Sequence, residues 1–96
     1  MLVFPCPVGA TELSDIREKI SKIDDSIIGL LIERFKLTDE VGKIKKLNNI
    51  PIENKEVEQK ILVRLVQKSN GTLDEKLIVK IYNEIFSNSK SRQKKI

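Results

Sequence analysis

The sequence predicts an all-α chain of three helices, one long and two shorter, with the long helix shared between two copies in an interlocked homodimer. Two observations carry this. Apolar residues recur at alternating spacings of three and four at Leu13, Ile16, Ile20, Ile23, Ile27 and Leu30, then at Leu37, Val41 and Ile44 beyond Arg34, which is a heptad seam. A helix over about residues 12–48 would run on the order of 50 Å at 1.5 Å per residue, whereas a compact domain of ~100 residues has a radius of gyration near 13 Å. One chain of this size cannot wrap such a helix, so a second copy is expected against the seam.

Each element has its punctuation. Thr11 or Ser14 can cap the long helix, Gly29 and Gly42 are tolerable within it, and Asn48, Asn49 and Pro51 stop it. Asn54 is a good N-cap for a second helix reaching about Ser69, with Val57, Ile61, Leu62, Leu65 and Val66 inward and Asn70-Gly71 as its stop. Thr72 and Glu75 make a capping box for a third helix carrying Leu77, Ile78, Ile81, Tyr82, Ile85 and Phe86, which fades into SNSKSRQKKI. The expected organisation is an N-terminal arm at 1–10, a helical domain at 11–93 and a basic tail at 94–96.

Composition narrows the chemistry. With 96 residues, 18 Lys+Arg and 14 Asp+Glu, the chain has a formal charge of +4 and the size of one small domain. It contains no His, no Trp and one cysteine, Cys6. Imidazole bases, Ser-His and Cys-His nucleophile pairs and the common His or multi-Cys metal sites are therefore excluded, and no cofactor or metal is expected. Cys6 has no partner for an intrachain disulfide, which fits a reducing compartment. The opening MLVFPCPVGA lacks the basic region of a secretory signal, and no stretch reaches the ~18 apolar residues of a membrane span. A cytoplasmic protein without a membrane partner is expected.

Arg34 interrupts the seam. A buried, unpaired guanidinium costs several kcal/mol, so an anion must meet it. Two readings stand: an internal carboxylate such as Glu33, Asp39 or Glu58, or an anionic ligand. Eleven residues at ~100° bring Lys45 to the same helix face, with Thr38 and Val41 between. Arg17 lies about 100° off that face and reaches the same strip only from another subunit. On the third helix the apolar stripe continues into Ser89 and Gln93, at i and i+4, which either marks fraying or lines a cavity. Glu58 either serves the helix dipole together with Glu56 or faces that cavity.

Taken together, LSDIREKISKIDDSIIGLLIERFKL, EVGKIKKLNNIPI and the late SNSKSRQ resemble the all-helical, type II class of chorismate mutase over roughly residues 12–93. The elements fall in order: D-x-R-E-K-I, I-D-x-x-I-x-x-L-L-x-E-R, V-G-x-x-K, Pro-Ile, and Ser and Gln four apart. The resemblance implies a homodimer that rearranges the dianion chorismate to prephenate, in phenylalanine and tyrosine biosynthesis. Residue by residue, Arg34 and a partner subunit's Arg17 resemble the arginines that clamp the two carboxylates. Lys45 matches the lysine reaching a carboxylate and the ether oxygen, and Glu58 the acid that takes the ring hydroxyl. Ser89 resembles a carboxylate-side hydrogen bonder, and Gln93 the amide donating to the ether oxygen. Two positions depart from the pattern: Asn54 replaces an aspartate but still caps the helix and offers its backbone to the hydroxyl, and Val57 replaces an arginine, removing a cation beside Glu58.

Two alternatives remain at this level. An isochorismate-pyruvate lyase on the same scaffold breaks the same type of ether bond; Glu58, able to bind the hydroxyl of chorismate, favours the mutase. A dimeric helical interaction module would explain the seam and the basic tail of Lys90, Arg92, Lys94 and Lys95, but not Arg34. Basic residues alternate with acids, as in EKLIVKIYNE, and aromatics number only four, so no nucleic-acid partner is expected.

Overall fold

The computed structural model describes residues 8–96, and every regular element among them is helical: α1 (Val8–Leu47), α2 (Lys55–Ser69) and α3 (Glu75–Lys94). Most of the expected N-terminal arm, with Cys6, lies outside the described residues. α1 begins at Val8, upstream of the expected start near residue 12, since nothing in Gly9-Ala10-Thr11 opposes helix strongly enough to delay it.

The chain divides into two compact units, one ending at Arg34 and the other running Phe35–Ile96. In the first, residues 8–34 form a single stretch of α1. Its seam is exposed from Leu13 through Leu30, with Ile23 at 58% and Leu30 at 63% exposure. Ile28 and Ile32, off the seam, are exposed as well.

The second unit is built from the last turns of α1, α2, α3 and two tight connections. α1 closes in a Schellman motif: Ile50 N–H donates to Lys45 C=O at 2.8 Å and Asn49 N–H to Lys46 C=O at 3.4 Å. Asn49 takes the left-handed conformation this requires, at φ 55°, and Pro51 follows to prevent further helix. At the next start the Asn54 side chain accepts from Val57 N–H at 3.2 Å. α2 ends on Asn70 and Gly71, both left-handed, at φ 48° and 77°.

α3 starts later than its sequence signal. Thr72 N–H is tied to Ser69 C=O at 2.9 Å within the turn, and Thr72 does not cap the helix. Asp74 does so instead, accepting from Lys76 N–H at 3.2 Å. At its far end α3 does not fade through SNSKSRQ but stays helical to Lys94. Among the described residues, the buried large apolar side chains are Ile78 and Phe86, the latter edge-on to Tyr82 with ring centroids 5.9 Å apart. Ile61, Leu62, Leu65 and Val66 are half-buried, but Val57, Leu77 and Ile81, expected inward, are exposed.

Gly42 sets the approach of α1 to α3. A Cβ there would lie 2.6 Å from Gln93 Cγ and 3.0 Å from Gln93 Cβ, closer than packed side chains allow. The glycine is thus required by contact with α3, rather than merely tolerated in the helix.

Candidate active site

The second unit contains Lys45, Asn54, Glu58, Ser89 and Gln93, while Arg17 and Arg34 belong to the first. Within one chain Arg17 and Arg34 stand seventeen residues apart on α1, about 25 Å along the axis, so they do not meet. Arg34 is half-buried and Arg17 exposed.

Ser89 and Gln93, one turn apart on α3, are buried at 5% and 8% exposure, which settles their place as inward-facing rather than frayed. Gln93 packs on Gly42, and its Oε1 is buried without a hydrogen-bond partner. An orphaned buried amide end costs roughly 1–3 kcal/mol, and so calls for a reason. Because an amide's oxygen and nitrogen exchange by a flip, that end can present an acceptor or a donor. From α1, Lys45 Nζ donates to Ile52 C=O at 2.9 Å, tying the helix to the Pro51-Ile52 connection. An ammonium has three donors, so this bond leaves capacity for an anion.

Glu58, half-buried in the first turn of α2, meets Lys90 of α3, with Nζ 3.3 Å from Oε2. The same ammonium lies 3.1 Å from Glu53 Oε1. Glu53 holds Lys90 above its ordinary pKa, with Glu58 adding to the effect against some desolvation; Lys90 in turn holds Glu53 below the usual carboxylate value. Further along α3, Arg92 grips Asp39 of α1 with two bonds, of 3.1 and 2.8 Å, and stacks 5.3 Å over the Phe35 ring. That fork lowers the Asp39 pKa. Two of the candidate internal anions for Arg34, Asp39 and Glu58, thus receive Arg92 and Lys90.

The wider sequence match bears on this arrangement. Residues 16–94 match the family pattern described as chorismate mutase type II. The chain belongs to the chorismate mutase type II family. A chorismate mutase of Methanocaldococcus jannaschii is 34% identical over 84 residues, 86% of this chain and 85% of that protein. A bifunctional chorismate mutase/prephenate dehydratase of Aquifex aeolicus is 37% identical over 89 residues, 88% of this chain but only 25% of that protein. The chain therefore spans about a quarter of that bifunctional relative. Among solved structures, a conserved hypothetical protein from Pyrococcus furiosus superposes with a TM-score of 0.71 at 35% identity, covering 86% of this chain and 96% of that one.

Sequence reasoning placed Lys90 and Arg92 of this chorismate mutase-family chain in a solvated basic tail, whereas both are ion-paired to other elements. Their partners Glu53 and Asp39 lie 37 and 53 residues away in sequence, and no local pattern announces such a pairing. The usable signal was the stripe itself: if Ser89 and Gln93 face inward, the residues beside them on α3 flank the same wall. No described helix is long and apolar enough to cross a membrane.

Proposed function

We propose that the chain catalyses the Claisen rearrangement of chorismate to prephenate in a cytoplasmic homodimer, with each pocket drawing Arg17 from the partner subunit. The observation that carries this is the buried, unpartnered end of Gln93, at the position where the family pattern puts an amide facing the ether oxygen. The exposed seam of α1 supports the dimer, because it leaves a row of large aliphatic side chains for a second copy to cover.

The rearrangement moves six electrons around a ring: the ether C–O bond breaks as a new C–C bond forms, with no proton transferred and no intermediate. A chain without imidazole and with a single cysteine is suited to this. In this reading Arg34 and the partner's Arg17 clamp the two carboxylates, and Ser89 supports one of them; bidentate pairing holds the flexible enolpyruvyl arm over the ring, so that orientation is supplied on binding. Negative charge grows on the ether oxygen as the bond breaks. Donors fixed there, Lys45 and Gln93, stabilise the transition state more than the ground state. Glu58 and the backbone at Asn54 take the ring hydroxyl, which selects the substrate.

The test is to incubate the purified protein separately with chorismate and with isochorismate and to identify products by proton NMR. Prephenate from chorismate is expected. Salicylate and pyruvate from isochorismate alone would assign the lyase reaction instead, and no turnover of either would remove the enzymatic reading.

A further inference from the structure

We infer that Lys90 is a positioning residue, the cation that holds the Glu58 carboxylate for the substrate's hydroxyl in place of the arginine the family pattern carries at position 57. The inference rests on the mutase reading and adds a residue to it.

Val57 cannot serve this purpose, because its side chain is aliphatic and carries neither a charge nor a donor. The cation comes instead from α3. Lys90 Nζ lies 3.3 Å from Glu58 Oε2 and 3.1 Å from Glu53 Oε1, so one ammonium bridges the lead-in to α2 and its first turn. Lys90 and Glu58 are about three-quarters shielded, with side-chain exposures of 25% and 23%, whereas Glu53 is 52% exposed. The inner of the two carboxylates is therefore Glu58, and the outer one anchors the ammonium. Lys90 follows the buried Ser89 directly and precedes Gln93 by one turn, which puts it on the flank of the wall already assigned to the substrate.

The geometry divides the work of the carboxylate. Lys90 approaches Oε2, and the lone pairs of Oε1 remain for a donor hydroxyl. A glutamate in the first turn of a helix has several rotamers open to it, and a fixed ammonium selects one. The hydroxyl neither breaks nor gains charge in the rearrangement, so its bond to Glu58 is made about equally in the ground and transition states. Loss of that positioning should appear mainly in KM.

The experiment compares kcat and KM for chorismate in wild type, Lys90→Met, Lys90→Arg, Glu53→Gln and the double variant Val57→Arg/Lys90→Met, with thermal melts on each. Lys90→Met is expected to lower kcat/KM about tenfold, chiefly through KM. Lys90→Arg and the double variant should return to within about threefold of wild type, and Glu53→Gln should stay within about twofold. Methionine keeps most of the length and the apolar stem of lysine, so Lys90→Met should remain folded; if it does not, Lys90→Gln gives the same comparison. Wild-type-like kinetics in Lys90→Met would overturn the inference while leaving the mutase reading intact. So would a loss that Val57→Arg fails to restore, since Lys90 would then act only as a strut between helices. A wild-type protein inert to chorismate would overturn both.

Discussion

Residues 8–34 and residues 35–96 dispose of their apolar side chains differently. In the first unit the seam from Leu13 to Leu30 stays exposed along a single helical stretch. In the second, Ile78 and Phe86 are buried, Gly42 admits Gln93, and two cations of α3 reach carboxylates on other elements. The second unit has the makings of a folded core within one chain, whereas the first presents an exposed row of large aliphatic side chains. In the proposed homodimer this difference is functional: the region that needs a partner supplies both arginines for the substrate, and the region that closes on itself supplies the groups for the ether oxygen and the hydroxyl. Catalysis would then require association.

The largest effect is expected at the end of the first unit. Arg34→Ala should lower turnover of chorismate about 1,000-fold, since it removes a charge-assisted clamp on a carboxylate. It should leave helicity and association intact, because a cation on an apolar seam is costly to bury and its loss need not destabilise. Initial rates with circular dichroism and sedimentation check this, and a fully active Arg34→Ala would remove the arginine from the site. Next is Ile23→Lys, which puts a charge into the middle of the exposed seam. It should weaken self-association about 100-fold or more by sedimentation velocity and remove activity with it. Val63→Lys, at another exposed aliphatic position, in the second unit, should change neither. If both lysines behave alike, the contrast between the two units has no bearing on assembly.

How much of this was readable beforehand follows the same division. Helix number and stops were legible because they are local: a period of three and four, Asn49 before Pro51, Asn54 ahead of α2, Asn70-Gly71 after it. Thr72 misled because a capping box is a pattern of two residue types, whereas Thr72 lies within the turn that follows α2 and Asp74 supplies the cap. Ser89 and Gln93 were found by following the apolar stripe to its end, but whether they faced inward or frayed needed the helix to be seen continuing to Lys94. Lys90 and Arg92 were hidden, since their pairings span 37 and 53 residues and depend on how α3 returns to the other helices. Gly42 was visible as a glycine and not as a contact.

That contact provides a smaller test inside the second unit. In Gly42→Ala the new Cβ would sit 2.6 Å from Gln93 Cγ, an atom near the backbone that has little room to yield. Overpacking of this kind costs roughly 1–3 kcal/mol, partly offset by the ~1 kcal/mol that alanine gains over glycine in a helix. Stability should therefore change modestly while Gln93 is displaced, and kcat should fall about tenfold with KM less affected, because the amide's proposed contribution is to the transition state. A variant with unchanged kcat would argue that Gln93 does not reach the reacting oxygen.

The smallest effect concerns the Asp39–Arg92 pair, which fastens α3 to the end of α1 on the open surface. Arg92 lowers the Asp39 carboxyl below its usual 3.8, so the folded protein holds this proton less tightly than the unfolded chain. Stability from the pair is therefore complete above pH 3.8 and is lost as the pH falls below that through the lowered folded value. Melting temperatures of wild type and Asp39→Asn should differ slightly at pH 7, since an exposed pair is weakened by solvent and salt, and should converge in acid. The Glu53–Lys90 pair adds a second limb at the opposite end. Lys90 is raised above 10.5, so its contribution is full below that pH and is lost only as the solution is made more alkaline than the raised value. A gap between wild type and Asp39→Asn that persists unchanged far below pH 3.8 would mean that the aspartate stabilises the unit through packing rather than through its charge.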